Sequence, residues 1–227
     1  MRYRSYLSKL KSEVLLYSKG CETSVYLSDG MPRSGSTLVY NALRLCLQEN
    51  YGDKLVCGWV GDLSTMPKAT AYCIKVHGAT RPVYRKATFT CYTYRDLRTA
   101  LVSGHRMFNR TPTLALARSF IKKDQLARRV ANRVYRYEHI VGNKRELIED
   151  LIQGVGGNAD SSRIMSQLSK IRIGNDSTAP ELETQMHGGH ATGTMPEDWR
   201  EELSVKFLDE LYTNFAWWFE DNGYAID

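Results

Sequence analysis

The chain has 227 residues, of which 42% are hydrophobic and 25% charged, and a formal net charge of +6. This balance is typical of a soluble globular protein and excludes a disordered chain, while no apolar run reaches the roughly 18 residues that span a membrane. We expect a single α/β domain over residues 1–227, located in the cytoplasm because the basic N-terminus lacks the apolar core of a signal peptide.

The first two thirds of the chain alternate between helix and strand patterns. A helix is predicted over residues 3–18, and a strand over 23–27 precedes a helix that begins at Ser36. Further strands are predicted at 55–60, 71–76, 88–94 and 134–137, with helices at 96–107 and 114–130. This alternation predicts a mostly parallel central sheet flanked by helices.

The last third is predicted to be helical, at residues 144–154, 161–171 and 204–222. A long loop at 174–197 holds His187 and His190. Long loops in compact domains are functional or disordered, so we expect a flexible segment or a substrate gate there. Two histidines without an HExxH pattern or an evident third ligand do not predict a metal site.

The cysteine pattern indicates the redox state of the chain, and its charge indicates the kind of partner. The five cysteines are scattered and form no CxxC pair, which predicts reduced thiols in the core. A pI near 9.0 suits an anionic partner. The basic run at 123–133 lacks aromatic interleaving, so it predicts a charged helix face and no nucleic-acid interface.

Residues 25–47 combine a buried strand, a glycine-containing turn and an amphipathic helix. A turn that leads into a helix N-terminus presents unpaired N–H groups and the positive end of the helix dipole, which predicts a phosphate cradle. The spacing of Gly30 and Gly35 overlays the pattern GxxxxGK[ST], but Ser36 occupies the lysine position and the basic residue is Arg33. Hydroxyl donors are added by Ser34, Ser36 and Thr37.

Two further predicted strands end in groups suited to anion chemistry. Residues two apart in a strand project to the same face, so Lys75 and His77 predict a cation and a titratable base in one pocket at the carboxyl edge of the sheet. Arg95 ends the next strand, and Ser103 lies eight residues later in the following helix. We expect this pair to bind a second phosphate.

Taken in order, these motifs resemble those of the sulfotransferases that use 3′-phosphoadenosine 5′-phosphosulfate (PAPS). MPRSGSTLV at 31–39 resembles the 5′-phosphosulfate loop, and IKVH at 74–77 resembles the lysine-x-histidine strand end. YRDLRTALVS at 94–103 is similar to the 3′-phosphate motif, and VYRYEHI at 134–140 to the RYED segment. Trp199 and Arg200 match the WR of the tail, so the resemblance runs from about residue 25 to 224.

The resemblance implies a P-loop-containing nucleotide-binding fold of sulfotransferase type and a role for each matching residue. His77 would be the general base, Lys75 would neutralise charge on the transferring sulfuryl group, and Tyr137 would line the adenine pocket. Sulfuryl transfer spreads negative charge over equatorial oxygens, so positioned cations and N–H groups suit it. The resemblance implies that the donor's 5′-phosphosulfate is bound by Arg33, Ser34, Gly35, Ser36 and Thr37. It implies that the 3′-phosphate is bound by Arg95 and Ser103.

The implied activity is metal-free transfer of a sulfuryl group from PAPS to a hydroxyl or amine of a small-molecule or carbohydrate acceptor. A P-loop kinase of a nucleoside or small metabolite is an alternative, which the missing loop lysine disfavours. A catalytically silent nucleotide-binding scaffold is another, which Lys75 and His77 disfavour. The acceptor and the oligomeric state stay open, and candidate walls of the acceptor pocket are Tyr40, Trp59, Tyr84 and Phe108.

Overall fold

The computed structural model describes residues 23–171, 181–186 and 198–226. The predicted helix at 3–18 and most of the predicted loop at 174–197, with His187 and His190, lie outside these residues. Five strands form one parallel sheet in the order β2-β3-β1-β4-β5. Their bounds are Ser24–Gly30 (β1), Leu55–Trp59 (β2), Ala71–Val76 (β3), Phe89–Tyr94 (β4) and Arg133–Arg136 (β5). The predicted α/β architecture is confirmed.

Helices connect the strands and follow the last one. Those in the described residues are α1 (Ser36–Tyr51), α2 (Arg81–Lys86), α3 (Leu97–Phe108), α4 (Leu114–Arg128), α5 (Tyr137–Gly142), α6 (Lys144–Gly154), α7 (Ser161–Lys170), α8 (Trp199–Glu202) and α9 (Val205–Asp221). The sequence pattern did not predict α2, α5 and α8, because six residues or fewer span less than two turns and show no apolar period. None of the described helices is long and apolar enough to cross a membrane.

One face of the sheet is covered by α1, α6 and α7. Side chains alternate along a strand, so Ala71 and Cys73 of β3 face this side together with Tyr26 of β1. They pack against the apolar stripe of α1, which includes Leu43 and Leu47. The alternation places Lys75, two residues beyond Cys73, on the same face, where α1 begins.

The other face is covered by α2 and α4. Tyr72, Ile74 and Val76 of β3 project to this side and pack with Val83 of α2 and Ala127 of α4. A third cluster joins α3, α4 and α9 around Trp218 and Phe219. Because every strand runs in the same direction, the loops that follow β1, β3 and β4 meet at one carboxyl edge of the sheet.

The four cysteines of the described residues belong to the core or pack against it. Cys46, Cys57, Cys73 and Cys91 are free thiols, in agreement with the predicted reduced state, and Cys21 lies outside the described residues. Burial raises the pKa of Cys46 and of Cys91 to about 12. Both thiols therefore stay protonated at neutral pH and act as small apolar groups.

Candidate active site

The loop between β1 and α1 packs closely against its neighbours. The Met31 amide donates to the carbonyl oxygen of Thr93 at 2.8 Å, and a Cβ atom on Gly30 would lie 2.2 Å from Thr93 Oγ1. Gly35, the N-cap of α1, has a φ of 77°, and a Cβ atom there would lie 2.8 Å from Tyr137 Cδ2. Both glycines thus permit a backbone approach that a side chain would block.

The hydroxyl residues of this loop have different surroundings. The Ser34 side chain is buried, and its Oγ lies 2.6 Å from the Met31 carbonyl oxygen and 2.7 Å from Thr93 Oγ1. Ser34 therefore stabilises the turn through these hydrogen bonds. Its contact with the sulfuryl donor stays a prediction. Ser36 and Thr37 lie in the first turn of α1, which carries no acidic residue. The positive end of α1 thus stays available to an anion.

The structure brings Lys75 and His77 to this loop, where their spacing placed them. The buried ammonium group of Lys75 donates to Thr37 Oγ1. His77 follows β3 directly, and its Nδ1 lies 2.9 Å from the carbonyl oxygen of Gly30. A cation and a base from β3 therefore line the loop that follows the neighbouring strand β1.

The hydrogen bond of His77 fixes its tautomer. A carbonyl oxygen accepts only, so Nδ1 carries the proton and Nε2 holds the lone pair of the neutral ring. Burial, and then the charge of Lys75, lower the pKa of His77 to about 4. The ring is thus neutral at pH 7, with its lone pair on Nε2. The indole of Trp59 packs beside it, with ring centroids 5.6 Å apart.

Arg33 joins the loop to α3. Its backbone has a φ of 69°, and its Nε donates to Ser103 Oγ at 2.9 Å. Arg95, between β4 and α3, donates from Nη1 to the Arg33 carbonyl oxygen at 3.4 Å. The Arg95 guanidinium also stacks on the Tyr137 ring, with its Cζ atom 4.1 Å from the ring centroid. The predicted donor-binding residues of three separate segments therefore lie in one cluster.

This cluster holds like charges together. Burial, and then the charge of Arg95, lower the pKa of Arg33. Burial, and then the charge of Arg33, lower the pKa of Lys75 to about 8. Packing cations in a partly desolvated site costs free energy that a bound anion would recover. The electrostatics are those of an anion site.

Sequence reasoning did not identify Asp29, which lies at the centre of this edge. Its side chain is buried below the loops that follow β1 and β3 and accepts hydrogen bonds from the amides of Gly30 and Gly78. Burial raises the pKa of Asp29. An acidic residue at the end of an otherwise apolar strand was the signal that could have revealed it.

Two of the suggested walls of the acceptor pocket were wrong. Tyr40 is fully buried, and its hydroxyl donates to the Glu183 carbonyl oxygen at 2.8 Å. Tyr84 is buried as well, and its hydroxyl donates to Asp29. Trp59 stays a candidate because it is half-buried beside His77, and Phe108 is 48% exposed.

A short described segment, residues 181–186, docks on the buried side of α1. Asn41 Nδ2 donates to the Thr184 carbonyl oxygen at 2.9 Å, and Arg44 forms an ion pair with Glu183. The helix that begins at the phosphate cradle thus also anchors this part of the C-terminal third. Neither Asn41 nor Arg44 stands out in the sequence, because with Thr37 and Gln48 they form the polar stripe that an amphipathic helix usually turns to solvent.

No protein-family model and no curated protein matches the sequence. Solved structures do match it. Mouse sulfotransferase SULT7A1 complexed with PAP has a TM-score of 0.58 and 14% sequence identity, over 88% of this chain and 88% of that chain. Retinol dehydratase in a complex with retinol and PAP has a TM-score of 0.56 and 14% identity, over 94% and 85% of the two chains.

A second structure of retinol dehydratase, in complex with androsterone and the inactive cofactor PAP, agrees with these. Its TM-score is 0.57 at 14% identity, and the match covers 94% of this chain and 84% of that chain. The chain therefore has the fold of the PAPS-dependent sulfotransferases.

Proposed function

We propose that this protein transfers a sulfuryl group from PAPS to a hydroxyl or amine of a small-molecule or carbohydrate acceptor. The observation that carries the proposal is the arrangement around the loop after β1, where Arg33, Arg95 and Lys75 lie about the N-terminus of α1 and the neutral imidazole of His77 lies alongside. The PAP bound to the proteins of similar fold supports the same donor.

The donor's two anionic ends fit two parts of the cluster. The first turn of α1, with Ser36 and Thr37, and the main chain at Gly35 would bind the 5′-phosphosulfate. Arg95 and Ser103 would bind the 3′-phosphate. Arg33 lies between these subsites, since its side chain reaches Ser103 and its carbonyl oxygen contacts Arg95. Tyr137 would line the adenine pocket.

His77 would activate the acceptor. Its Nε2 carries the lone pair, so it would take the proton from the acceptor hydroxyl while the acceptor oxygen bonds to sulfur and the bond from sulfur to the donor phosphate breaks. Lys75 would offset the charge that accumulates on the equatorial and leaving oxygens. Positioned cations and a positioned base supply this catalysis without further covalent chemistry.

A small-molecule acceptor is favoured by the surroundings of His77 and by the compared proteins. Trp59 offers an aromatic surface beside the base, and the stem of Lys123 lies close enough to Gly78 that a Cβ atom on Gly78 would be 2.8 Å from Lys123 Cδ. Two compared structures contain retinol and androsterone. The site thus combines an apolar wall with a nearby cation, and an acceptor with an aromatic or other apolar body suits it.

The test compares thermal stabilisation by 3′,5′-ADP (PAP) with stabilisation by ADP plus magnesium, in the wild-type protein and in Arg95→Ala. A ligand that binds only the folded state raises the melting temperature. The matched control is Arg118→Ala, which also removes one arginine, but one that is exposed and contacts Asn214 and Phe215 of α9. A panel of phenols, amines and sugars with PAPS, with PAP release as the readout, then identifies the acceptor.

We expect selective stabilisation by 3′,5′-ADP that survives Arg118→Ala and is lost in Arg95→Ala. Preference for ADP with magnesium would instead support a kinase. No stabilisation by either nucleotide would support a silent scaffold. Donor binding without PAP release for any acceptor would leave a nucleotide-binding module and so contradict the proposed transferase.

A further inference from the structure

The carboxyl group of Asp29 lies where the end of β1 meets the end of β3, and His77 directly follows β3. In the parallel ladder between β1 and β3, Asp29 is paired with Val76, the residue before His77. Its side chain is fully buried, with 0% of its surface exposed. A carboxylate in such surroundings is costly unless hydrogen-bond donors surround it.

The donors around Asp29 are present, and three of them are main-chain amides. Oδ1 accepts from the Gly30 amide at 2.6 Å and from the Gly78 amide at 2.8 Å. Oδ2 accepts from the Tyr84 hydroxyl and, at the longer distance of 3.5 Å, from the Ala79 amide. Four donors of the described residues face the group, and the ionised carboxylate can accept from all of them.

These hydrogen bonds hold His77 from two sides. Gly78 directly follows His77, and its φ of 79° places it in a left-handed turn whose amide points at Asp29. Gly30 carries the carbonyl oxygen that accepts from His77 Nδ1. One carboxylate oxygen thus fixes both the main chain that carries the imidazole ring and the peptide unit that orients it.

We infer that Asp29 is a positioning residue for His77, which maintains the Nδ1–H tautomer by holding Gly30 and Gly78 in place. The inference rests on the proposed role of His77 as the base. The hydrogen bonds described for Asp29 go to main-chain amides and to Tyr84, and none goes to the ring. Asp29 acts through the main chain. The position of His77 should therefore depend on whether an acceptor oxygen faces the amides of Gly30 and Gly78, and not on the charge of residue 29.

The experiment uses three variants and reads the ring directly. Asp29→Asn keeps one oxygen for the Gly30 and Gly78 amides. Its NH₂ group replaces Oδ2, donates to the Tyr84 hydroxyl oxygen and gives up only the long contact with the Ala79 amide. Asp29→Ala removes every acceptor. Tyr84→Phe is the matched control, because it removes a donor to Asp29 and leaves both amide contacts intact. Long-range ¹H–¹⁵N spectra of histidine, assigned with His77→Gln, report the tautomer and pKa of His77 without any ligand.

We expect the Nδ1–H tautomer and a low pKa in the wild type, Asp29→Asn and Tyr84→Phe. Asp29→Ala should show mixed tautomers, a pKa shifted toward the ordinary value near 6.5, and a kcat lower by up to about 100-fold, with the affinity for 3′,5′-ADP changed by less than about threefold. Asp29→Asn should keep most of the wild-type kcat. A kcat as low as that of Asp29→Ala would show that the negative charge itself is required.

The same tautomer and pKa in folded Asp29→Ala would overturn the inference. If that variant does not fold, Asp29→Ser takes its place, and an Nε2–H tautomer in the wild-type protein would overturn the inference without any variant. The spectra need neither donor nor acceptor. Failure of the protein to bind 3′,5′-ADP would therefore refute the proposed function while this test of Asp29 still gives its own answer.

Discussion

The Nε of Arg33 donates to Ser103 Oγ at 2.9 Å and so joins two segments that we propose to bind different phosphates of the sulfuryl donor. Arg33 belongs to the loop after β1, and Ser103 lies two turns into α3. Arg95 contacts the carbonyl oxygen of the same arginine. The two proposed phosphate subsites therefore share one residue, and we expect their contributions to binding to be coupled.

A double-mutant cycle of Arg33→Lys and Ser103→Ala measures that coupling. Lysine keeps the charge but has no Nε–H, so each change removes the same hydrogen bond. We expect each single variant to weaken binding of 3′,5′-ADP and the double variant to weaken it by less than the sum, with a coupling of about 0.5–3 kcal/mol by titration calorimetry. Additive losses would show that the two subsites act independently.

Lys75 should make binding of 3′,5′-ADP depend on pH. Its pKa in the free protein is about 8, and phosphate oxygens favour the charged form and raise the pKa in the complex. Above about pH 8 the complex therefore holds a proton that the free protein has lost, so affinity falls as the pH rises, with uptake of one proton.

Calorimetry in buffers of different ionisation enthalpy measures this uptake. Lys75→Met removes the titrating group and should bind more weakly at neutral pH but with little pH dependence between about pH 7 and 9. Lys170→Met, at the exposed end of α7, is the control and should behave as the wild type. Equal affinity of the wild-type protein at both ends of this range would rule out the assignment.

His77 should respond to the donor as well. In the free protein, burial and the charges of Lys75, Lys123 and Arg33 lower its pKa to about 4. Phosphates beside these cations offset their charge, so 3′,5′-ADP should raise the pKa of His77, which the histidine spectra measure. An unchanged pKa in the complex would place the bound anion away from the base.

Removal of the imidazole should separate chemistry from binding. We expect His77→Ala to lower kcat by about 10²–10⁴-fold, the usual contribution of a general base, while the affinity for 3′,5′-ADP changes little. His139→Ala is the control, since that side chain is exposed and pairs with Glu146 on α6. Full activity in His77→Ala would eliminate this residue as the base.

Gly35 should be more sensitive to substitution than another glycine of the same backbone conformation. Gly35 and Gly156 have φ values of 77° and 70°, but a Cβ atom on Gly156 would meet nothing within 4 Å. Gly156→Ala therefore reports the strain of the left-handed conformation alone, about 1–2 kcal/mol by urea unfolding. Gly35→Ala should cost more, because it also displaces Tyr137, and should abolish stabilisation by 3′,5′-ADP. Equal costs would show that the ring moves freely.

The sheet was predictable because its strands are short apolar runs bounded by turns, and each predicted strand lies within three residues of the observed one. The grouping of Arg33, Lys75 and His77 was predictable too, because parallel strands present their carboxyl ends at one edge. These inferences needed only periodicity and chain direction.

Contacts that depend on side-chain packing were not predictable. Tyr84 was read as a pocket wall, but α2 turns it inward onto Asp29, and a six-residue helix leaves no periodic trace in the sequence. The hydrogen bonds of the Ser34 hydroxyl to Met31 and Thr93 were not predictable either, while its proposed contact with the sulfuryl donor stays a prediction. A serine hydroxyl or a tyrosine is compatible both with a ligand site and with the buried interior. Residue type alone therefore does not predict which of the two it occupies.

The imidazole of His77 is aimed by the carbonyl oxygen of Gly30, a group that every amino acid carries. The Thr93 carbonyl oxygen likewise accepts from the Met31 amide, and that of Arg33 accepts from Arg95. Substitution of the surrounding side chains leaves these acceptors chemically unchanged. Many substitutions around such a site can therefore accumulate without removing the acceptors that shape it.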